Sequence, residues 1–306
     1  MGAPVGRFAP TPSGRMHLGN VFAALIGWLS VKSKGGSLVL RMEDLDTQRT
    51  SEEFAEVLRQ DLKWLGLDWD WETPPQSRRS KVYDRYFDLL ADQGLLYPCY
   101  CTRSQLHSVN APHLSDGTYV YAGTCRNLTE AQRNAFDRAP AFRVKVPDKE
   151  VVVEDLCQGT YRQNLAAQCG DFVVRRADGV YVYQLAVTVD DGLAGVTEVV
   201  RGMDLLGSAP RQMYLQELFD FSHPVYGHVP MLIAPDGRRL SKRDKDMDLG
   251  FLQQNTTAEK LLGFLAYTSG IIDAPEAVSA KELATEFAWE NLKKTDICLD
   301  ITQLFT

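Results

Sequence analysis

No apolar run in the sequence is long enough to cross a bilayer: the longest, VFAALIGWLSV at residues 21–31, falls well short of the roughly 20 residues required. The N-terminus, MGAPVGRFAP, lacks the apolar core of a secretory signal. Gly6 stands where a myristoylation signal carries Ser or Thr. Internal repeats and low-complexity tracts are missing too. These absences set aside membrane, secreted and fibrous classes, and the chain is expected to be cytoplasmic, with no membrane partner. In a reducing compartment its six cysteines do not make a disulfide framework. Positive charge is in deficit as well. With 33 Lys and Arg against 40 Asp and Glu, the net charge is −7, so any nucleic-acid contact must rest on a local basic face.

What is present is an ordinary globular composition, 306 residues of which 44% are hydrophobic and 24% charged. That is enough for one large domain or two to three smaller ones around a substantial core. Residues 5–10, VGRFAP, read as a short strand ended by prolines. Pro12, Ser13 and Gly14 then make a tight loop. From about His17, Leu18, Val21, Leu25 and Leu29 recur at helical spacing until Gly35-Gly36. SLVLRMED follows as a second, buried strand. Such a strand–loop–helix–strand unit opens a Rossmann-like α/β domain. Its helix N-terminus favours phosphate through backbone N–H groups and the helix dipole. The glycines allow close approach there, and His17 can donate to a phosphate oxygen. Far along the chain, APDGRRLSKRDKD (residues 234–246) starts with a turn and becomes basic. Arg238, Arg239, Lys242, Arg243 and Lys245 there outnumber Asp236, Asp244 and Asp246.

His17-Leu18-Gly19-Asn20 resembles the HIGH signature of class I aminoacyl-tRNA synthetases, and RFAPTPSG before it resembles their Glu/Gln branch. Arg239-Leu240-Ser241-Lys242-Arg243 is similar to the KMSKS loop of the same class. The resemblance implies ATP with Mg²⁺, the nucleotide being held by Pro12, Gly14, His17, Gly19, Asn20, Leu240, Ser241 and Lys242. His17 and Lys242 would be catalytic, offsetting charge that develops on the α-phosphate and pyrophosphate; removing such a contact costs about 3 kcal/mol. Asn20 replaces the second histidine of the signature and can still donate a hydrogen bond.

The likeness continues through LRMEDLDTQR, DLKWLGLDWD, YDRYFDLLADQGLLYPCYCTR and VTEVVRGMDLLGSAPRQ, over most of residues 5–245. It implies that Arg7, Ala9, Thr11, Glu43, Tyr183 and Arg201 bind L-glutamate. The chemistry agrees: an arginine fork suits a carboxylate, Glu43 suits an α-ammonium, and Tyr183 offers an aromatic wall with a hydroxyl. Each residue also has an ordinary structural role open to it, an Arg201–Asp204 ion pair or an Arg-paired Glu43.

Cys99-x-Cys101 and Cys125 crowd into one turn-rich stretch, offering three thiolates where zinc wants four ligands. Coordination chemistry offers His107 or His113 as the fourth. The resemblance, through Tyr121-x-x-x-Cys125, points to Tyr121 and to one structural Zn²⁺ per chain. Cys157, Cys169 and Cys298 read as small core residues. Arg103, Arg126, Arg133, Arg143, Lys145, Arg175 and Arg176 surround this region and offer a local phosphate-contacting face.

The expected organisation is a first catalytic half (1–97), an inserted zinc-containing α+β domain (98–190), a second catalytic half with the KMSKS-like loop (191–246) and a short helical C-terminal region (247–306). TTAEKLLGFLAYTSG and SAKELATEFAWENLKK read as helices with Thr256 or Thr257 and Ser279 as N-caps. This is too little for an anticodon-reading domain. Val21-Phe22-Ala23 stands where full-length glutamyl enzymes carry Arg-Thr-Ala, and Met203-Asp204-Leu205 where they carry Glu-Asp-His. In these departures the chain resembles the short glutamyl-queuosine tRNA(Asp) synthetase branch. That implies a monomer transferring activated glutamate to queuosine in the anticodon loop of tRNA(Asp). The rival readings are a glutamyl-tRNA synthetase, charging the 3′ end of tRNA(Glu), and a catalytically silent RNA-binding paralogue.

Overall fold

The computed structural model describes residues 2–106, 120–238 and 248–305. A seven-stranded sheet forms its centre, in the order β3 (Trp71–Glu72), β2 (Ser37–Leu40), β1 (Val5–Phe8), β9 (Glu198–Gly202), β10 (Val225–Val229), β6 (Glu150–Asp155) and β7 (Gly159–Asn164). All neighbours run parallel except the β6–β7 hairpin. A smaller antiparallel sheet joins β4 (Leu96–Cys99), β5 (Ala141–Val144) and β8 (Phe172–Arg175), and β11 (Leu232–Ile233) pairs with β12 (Ile297–Cys298). The helices are α1 (Leu18–Lys32), α2 (Glu52–Trp64), α3 (Ser80–Asp92), α4 (Arg103–Leu106), α5 (Glu130–Asn134), α6 (Leu165–Gln168), α7 (Tyr183–Leu193), α8 (Ala209–Leu218), α9 (Leu249–Asn255), α10 (Ala258–Ser269) and α11 (Ala280–Glu286). Among the described residues no helix is long and apolar enough to cross a membrane.

The predicted strand–loop–helix–strand unit forms as β1, α1 and β2. Helix α1 is apolar nearly all round because it is buried nearly all round, packing on β1, β2 and β9 and against α11. Its close approach to the sheet is permitted by Gly6 of β1, where a Cβ would stand 2.4 Å from Val31 Cγ2. Gly36 lies hard against the Pro4 carbonyl, only 2.3 Å from where a Cβ would be, and any side chain there would prise β1 from the helix exit.

The sheet reverses direction of winding between β1 and β9, since β1 continues outward to β2 and β3 while β9 leads to β10 and β6. A crevice at the carboxyl ends of such neighbouring strands is where open α/β sheets bind ligands. Hairpin β6–β7, within residues 98–190, lengthens this central sheet beside β10 rather than joining the small one. Residue 98 lies inside β4 and residue 190 inside α7.

At the C-terminus Thr257 caps α10 and Ser279 caps α11, the latter with a reciprocal capping box to Glu282. Helix α11 ends at Glu286, well before the end of SAKELATEFAWENLKK. Phe287 turns extended, and the Trp289 indole N–H donates to Ser30 Oγ at 2.8 Å. Burial of that indole beneath α1 and against Gly227 overrides the helical pattern. Cys157 and Cys169 are buried as expected, but Cys298 is exposed. On the two-residue strand β12 Ile297 takes the inward position, and alternation sends Cys298 outward.

Candidate active site

A cleft of about 490 Å³ opens at the switch point between β1 and β9. The chain leaving β1 forms one wall and His17 caps α1, its Nδ1 accepting from the Gly19 N–H at 3.1 Å. In the neutral ring Nε2 therefore carries the proton and acts as a donor. Gly14 turns the loop with φ +139°, a value other residues rarely adopt. Arg7, Ala9, Thr11, Gly14, His17, Gly19, Asn20, Glu43, Tyr183 and Arg201 all line this one cleft. Pro12 does not: it is buried beneath the loop, its carbonyl accepting from the Ser51 N–H at 3.2 Å. Leu240, Ser241 and Lys242 lie outside the described residues. Asp248, just after that segment, forms an antiparallel bridge with His17, and the Leu249 N–H donates to the Met16 carbonyl at 3.1 Å.

In and next to the cleft wall lie buried arginines in different electrostatic settings, Arg7 and Arg201 lining the cleft and Arg41 beside Glu43. Arg41, fully buried on the chain after β2, has Asp191 Oδ1 at 2.7 Å, Glu43 Oε1 at 3.2 Å and Asp190 Oδ2 at 3.8 Å. Asp190 also accepts from Arg79, Gln76 and Tyr83. Burial alone would lower the Arg41 pKa, but these carboxylates raise it overall. Glu43 thus has the arginine partner its structural reading allowed, and it also faces the cleft. Burial raises its pKa despite Arg41 and Arg7. Arg7 donates from Nη1 to the Val200 carbonyl at 2.8 Å, with Asp191 3.8 Å from Nε. Burial lowers its pKa, Asp191 opposes this, and Arg201 adds to it.

Arg201, 5% exposed, is different. Its Nε–H donates to His228 Nε2 at 2.9 Å, and Nη1 donates to Gln212 Oε1 at 2.8 Å and Tyr183 Oη at 3.3 Å. Nη2 donates to the Leu205 carbonyl at 3.3 Å. Every partner is neutral. Among the described residues no carboxylate comes within 4.0 Å of it, and the Asp204 ion pair is not formed. His228 is buried and its Nδ1 lies 2.5 Å from Asp155 Oδ2. Desolvation, with Arg201 nearby, outweighs Asp155 and pulls the His228 pKa down to about 4. Composition and spacing gave no pointer to His228 or Asp155; the one available signal was a histidine inside the apolar strand VYGHV.

At the end of the small sheet, the sulfurs of Cys99, Cys101 and Cys125 lie within 4.8 Å of one another. Cys101 and Cys125 are 3.6 Å apart, and Tyr121 Oη is 3.5 Å from Cys99 and 3.8 Å from Cys101. Tetrahedral zinc with Zn–S near 2.3 Å sets neighbouring sulfurs about 3.8 Å apart and an oxygen ligand about 3.5 Å from each. Those three separations agree with that shape, so the cysteine trio could hold a metal with Tyr121 Oη within reach as a fourth ligand. Gly170 lets Tyr121 in, because a Cβ there would stand 2.4 Å from the Tyr121 carbonyl oxygen and φ is +70°. Arg143, 6% exposed, donates to Cys99 Sγ at 3.2 Å and covers the Tyr121 ring at 3.7 Å. Contrary to the expectation from sequence, Arg143 therefore contributes nothing to a phosphate-contacting face, and Arg126 is engaged with Asp171. His107 and His113 lie outside the described residues.

Over residues 5–305 the chain matches the model of the class I tRNA synthetase catalytic domain for E and Q. It is 46% identical over 297 residues to the glutamyl-Q tRNA(Asp) synthetase of Symbiobacterium thermophilum, which covers 92% of this chain and 91% of that protein. The glutamyl-Q tRNA(Asp) synthetase of Nitratidesulfovibrio vulgaris is 44% identical over 281 residues, 87% of this chain and 86% of that one. Among solved structures, glutamate-tRNA synthetase from Elizabethkingia anophelis superposes with a TM-score of 0.85 at 26% identity, over 99% of this chain and 69% of that chain.

Proposed function

The chain belongs to the class I tRNA synthetase family for glutamate and glutamine, and from that premise we propose that it activates L-glutamate with ATP and transfers it to queuosine in the anticodon loop of tRNA(Asp). It is a ligase of the glutamyl-tRNA synthetase type. The observation that carries the amino-acid assignment is charge complementarity. Of the charged side chains that line the cleft, Arg7 and Arg201 are buried and Glu43 is largely shielded, whereas Arg15, paired with Asp61, and Asp204 are exposed. The sheltered set is two guanidinium groups and one carboxylate, and glutamate brings two carboxylates and one ammonium. The acceptor assignment rests on the relatives, which carry that name at about 45% identity along nearly their whole length.

In this reading Arg201 and Tyr183 take one carboxylate, Arg7 flanks the other and Glu43 accepts from the α-ammonium. Held so, the reacting carboxylate attacks the ATP α-phosphorus in line, and pyrophosphate leaves. His17 donates from Nε2 to the phosphate, and Lys242 offsets charge on the leaving group. Mg²⁺, when bound with ATP, neutralises part of the same charge. The queuosine hydroxyl then attacks the adenylate carbonyl carbon and AMP departs. Cys99, Cys101, Cys125 and Tyr121 hold a structural Zn²⁺, with Arg143 offsetting the negative charge of the thiolates. The chain acts as a monomer.

The test is transfer of labelled glutamate, with ATP, to purified tRNA(Asp) with and without queuosine and to tRNA(Glu), located by alkali lability and nuclease mapping. Label confined to the anticodon loop of queuosine-containing tRNA(Asp) is the expected result. Label at the 3′ end of tRNA(Glu), the outcome favoured by the likeness to glutamate-tRNA synthetase structures, overturns it. So does the absence of label on every tRNA.

A further inference from the structure

We propose that His228 and Asp155 are positioning residues that aim Arg201 at the substrate carboxylate through a neutral link, so that its charge stays unspent until glutamate binds. The inference rests on the glutamate reading above and extends it to residues outside the cleft wall. It starts from sheet register. Arg201 and His228 are paired positions on the parallel strands β9 and β10, and Asp155 comes from β6 on the far side of β10, where it pairs with Tyr226. Three strands distant in sequence therefore deliver a carboxylate, an imidazole and a guanidinium in line.

Donor and acceptor chemistry fixes the state of the ring. Asp155 accepts from the backbone N–H groups of Cys157 at 3.0 Å, Gln158 at 2.9 Å and His228 at 3.0 Å. Those donors favour its ionised form, so His228 Nδ1 is the donor toward it. Arg201 Nε can only donate, so His228 Nε2 is the acceptor. Both neighbours thus demand the same neutral tautomer. A second neutral chain holds the other side of the fork. Gln212, which accepts from Nη1, donates to Gln184 Oε1 at 3.0 Å, and Gln184 donates to Ser208 Oγ at 3.0 Å. Of the five guanidinium N–H groups, two are held in tight bonds to His228 and Gln212. Two more make the longer bonds to Tyr183 and the Leu205 carbonyl, which also line the cleft. The fifth, on Nη2, is left for the substrate.

A carboxylate in direct contact with Arg201 would orient it equally well. In a low-dielectric site it would also compete with the substrate carboxylate for the same charge. The interposed imidazole gives direction without that competition. A different role for the pair is mere fastening of β6 to β10, and two substitutions separate the two. His228→Asn keeps an amide near the Nδ1 position and so the bond to Asp155, but is too short to accept from Arg201. His228→Gln reaches the Nε2 position and restores the acceptor, at the expense of the Asp155 bond.

The readout is glutamate-dependent ATP–pyrophosphate exchange, with thermal unfolding confirming that each variant is folded. Positioning predicts a rise in the KM for glutamate of about ten- to hundredfold in His228→Asn, little change in the KM for ATP, and substantial recovery in His228→Gln. Asp155→Asn gives an independent reading. Its amide would donate to Nδ1 and force the proton onto Nε2, against the Arg201 donor, so the KM for glutamate should rise there too. Fastening predicts the reverse order, with Asn mild and Gln severe. That order, or an unchanged glutamate KM in both His228→Asn and Asp155→Asn, overturns the proposal while leaving the glutamate reading intact. Wild-type protein showing no glutamate-dependent exchange overturns both.

Discussion

Arg41 and Arg201 are both buried, Arg201 in the cleft wall and Arg41 beside the cleft residue Glu43, yet their surroundings are opposite. Arg41 has three carboxylates within ion-pair distance, and Arg201, among the described residues, has none. A buried arginine enclosed by carboxylates has its charge fully answered inside the protein, and its role is to hold β2 to α7 through Asp190 and Asp191. A buried arginine held only by neutral acceptors keeps a charge with no direct counter-ion, which a bound carboxylate can answer. Arg143 extends the comparison. Its partners are a thiol, an aromatic ring and the Asp171 carbonyl, and the group it faces is the cysteine cluster, which becomes anionic only where its thiols ionise to hold a metal. Counter-charge rather than burial separates these arginines, and the proposed role of Arg201 rests on that difference.

The comparison can be broken most severely at Arg41. Arg41→Met leaves Asp190 and Asp191 in the interior short of a cation and should cost about 3–5 kcal/mol, measured by denaturant unfolding. A loss below 1 kcal/mol would show that the carboxylates do not depend on it. The neutral link behind Arg201 carries its own pH signature. His228 has a pKa of about 4 in the folded protein against about 6.5 unfolded. Between those values the unfolded chain takes up a proton that the folded chain refuses, so stability falls as pH drops from 6.5 toward 4. The contribution is on the order of 3 kcal/mol across that window. It should be missing from His228→Gln; equal pH slopes in the two proteins would refute the neutral assignment. Arg143→Met should weaken zinc binding about ten- to hundredfold in competition with a chelator, as loss of an outer-shell partner does, while leaving the KM for glutamate unchanged. The smallest effect is the control far from all three arginines: Ser279→Ala removes the α11 capping box and should cost about 1 kcal/mol with no kinetic consequence.

Much of the fold could be read in the sequence because its signals are local. Prolines end β1, glycines end α1, and apolar residues at helical spacing mark the helix between them. Ser279 announces the start of α11 in the same way. Its end could not be read, because burial of Trp289 beneath α1 is a tertiary event. The residues of the cleft wall were legible through motifs whose backbone glycines and charged side chains have direct uses. His228 and Asp155 were not, since only the register of β6, β10 and β9 brings positions 155, 228 and 201 together. Parallel strands meet through long crossovers, and no local pattern encodes that meeting. Cys298 shows the converse: its composition reads as core, and one step of strand alternation puts it in solvent.

The account turns on the claim that Arg201 keeps its charge for the substrate, and the most direct measurement is the glutamate dependence of ATP–pyrophosphate exchange in Arg201→Met. Removing one partner of a buried, hydrogen-bonded charge pair costs about 2–5 kcal/mol in binding, or about thirtyfold or more. The expected result is a KM for glutamate raised at least that far, an unaltered KM for ATP, and a smaller loss of folding stability than in Arg41→Met. A glutamate KM within twofold of wild type would mean that the charge of Arg201 is answered elsewhere, and would contradict the account.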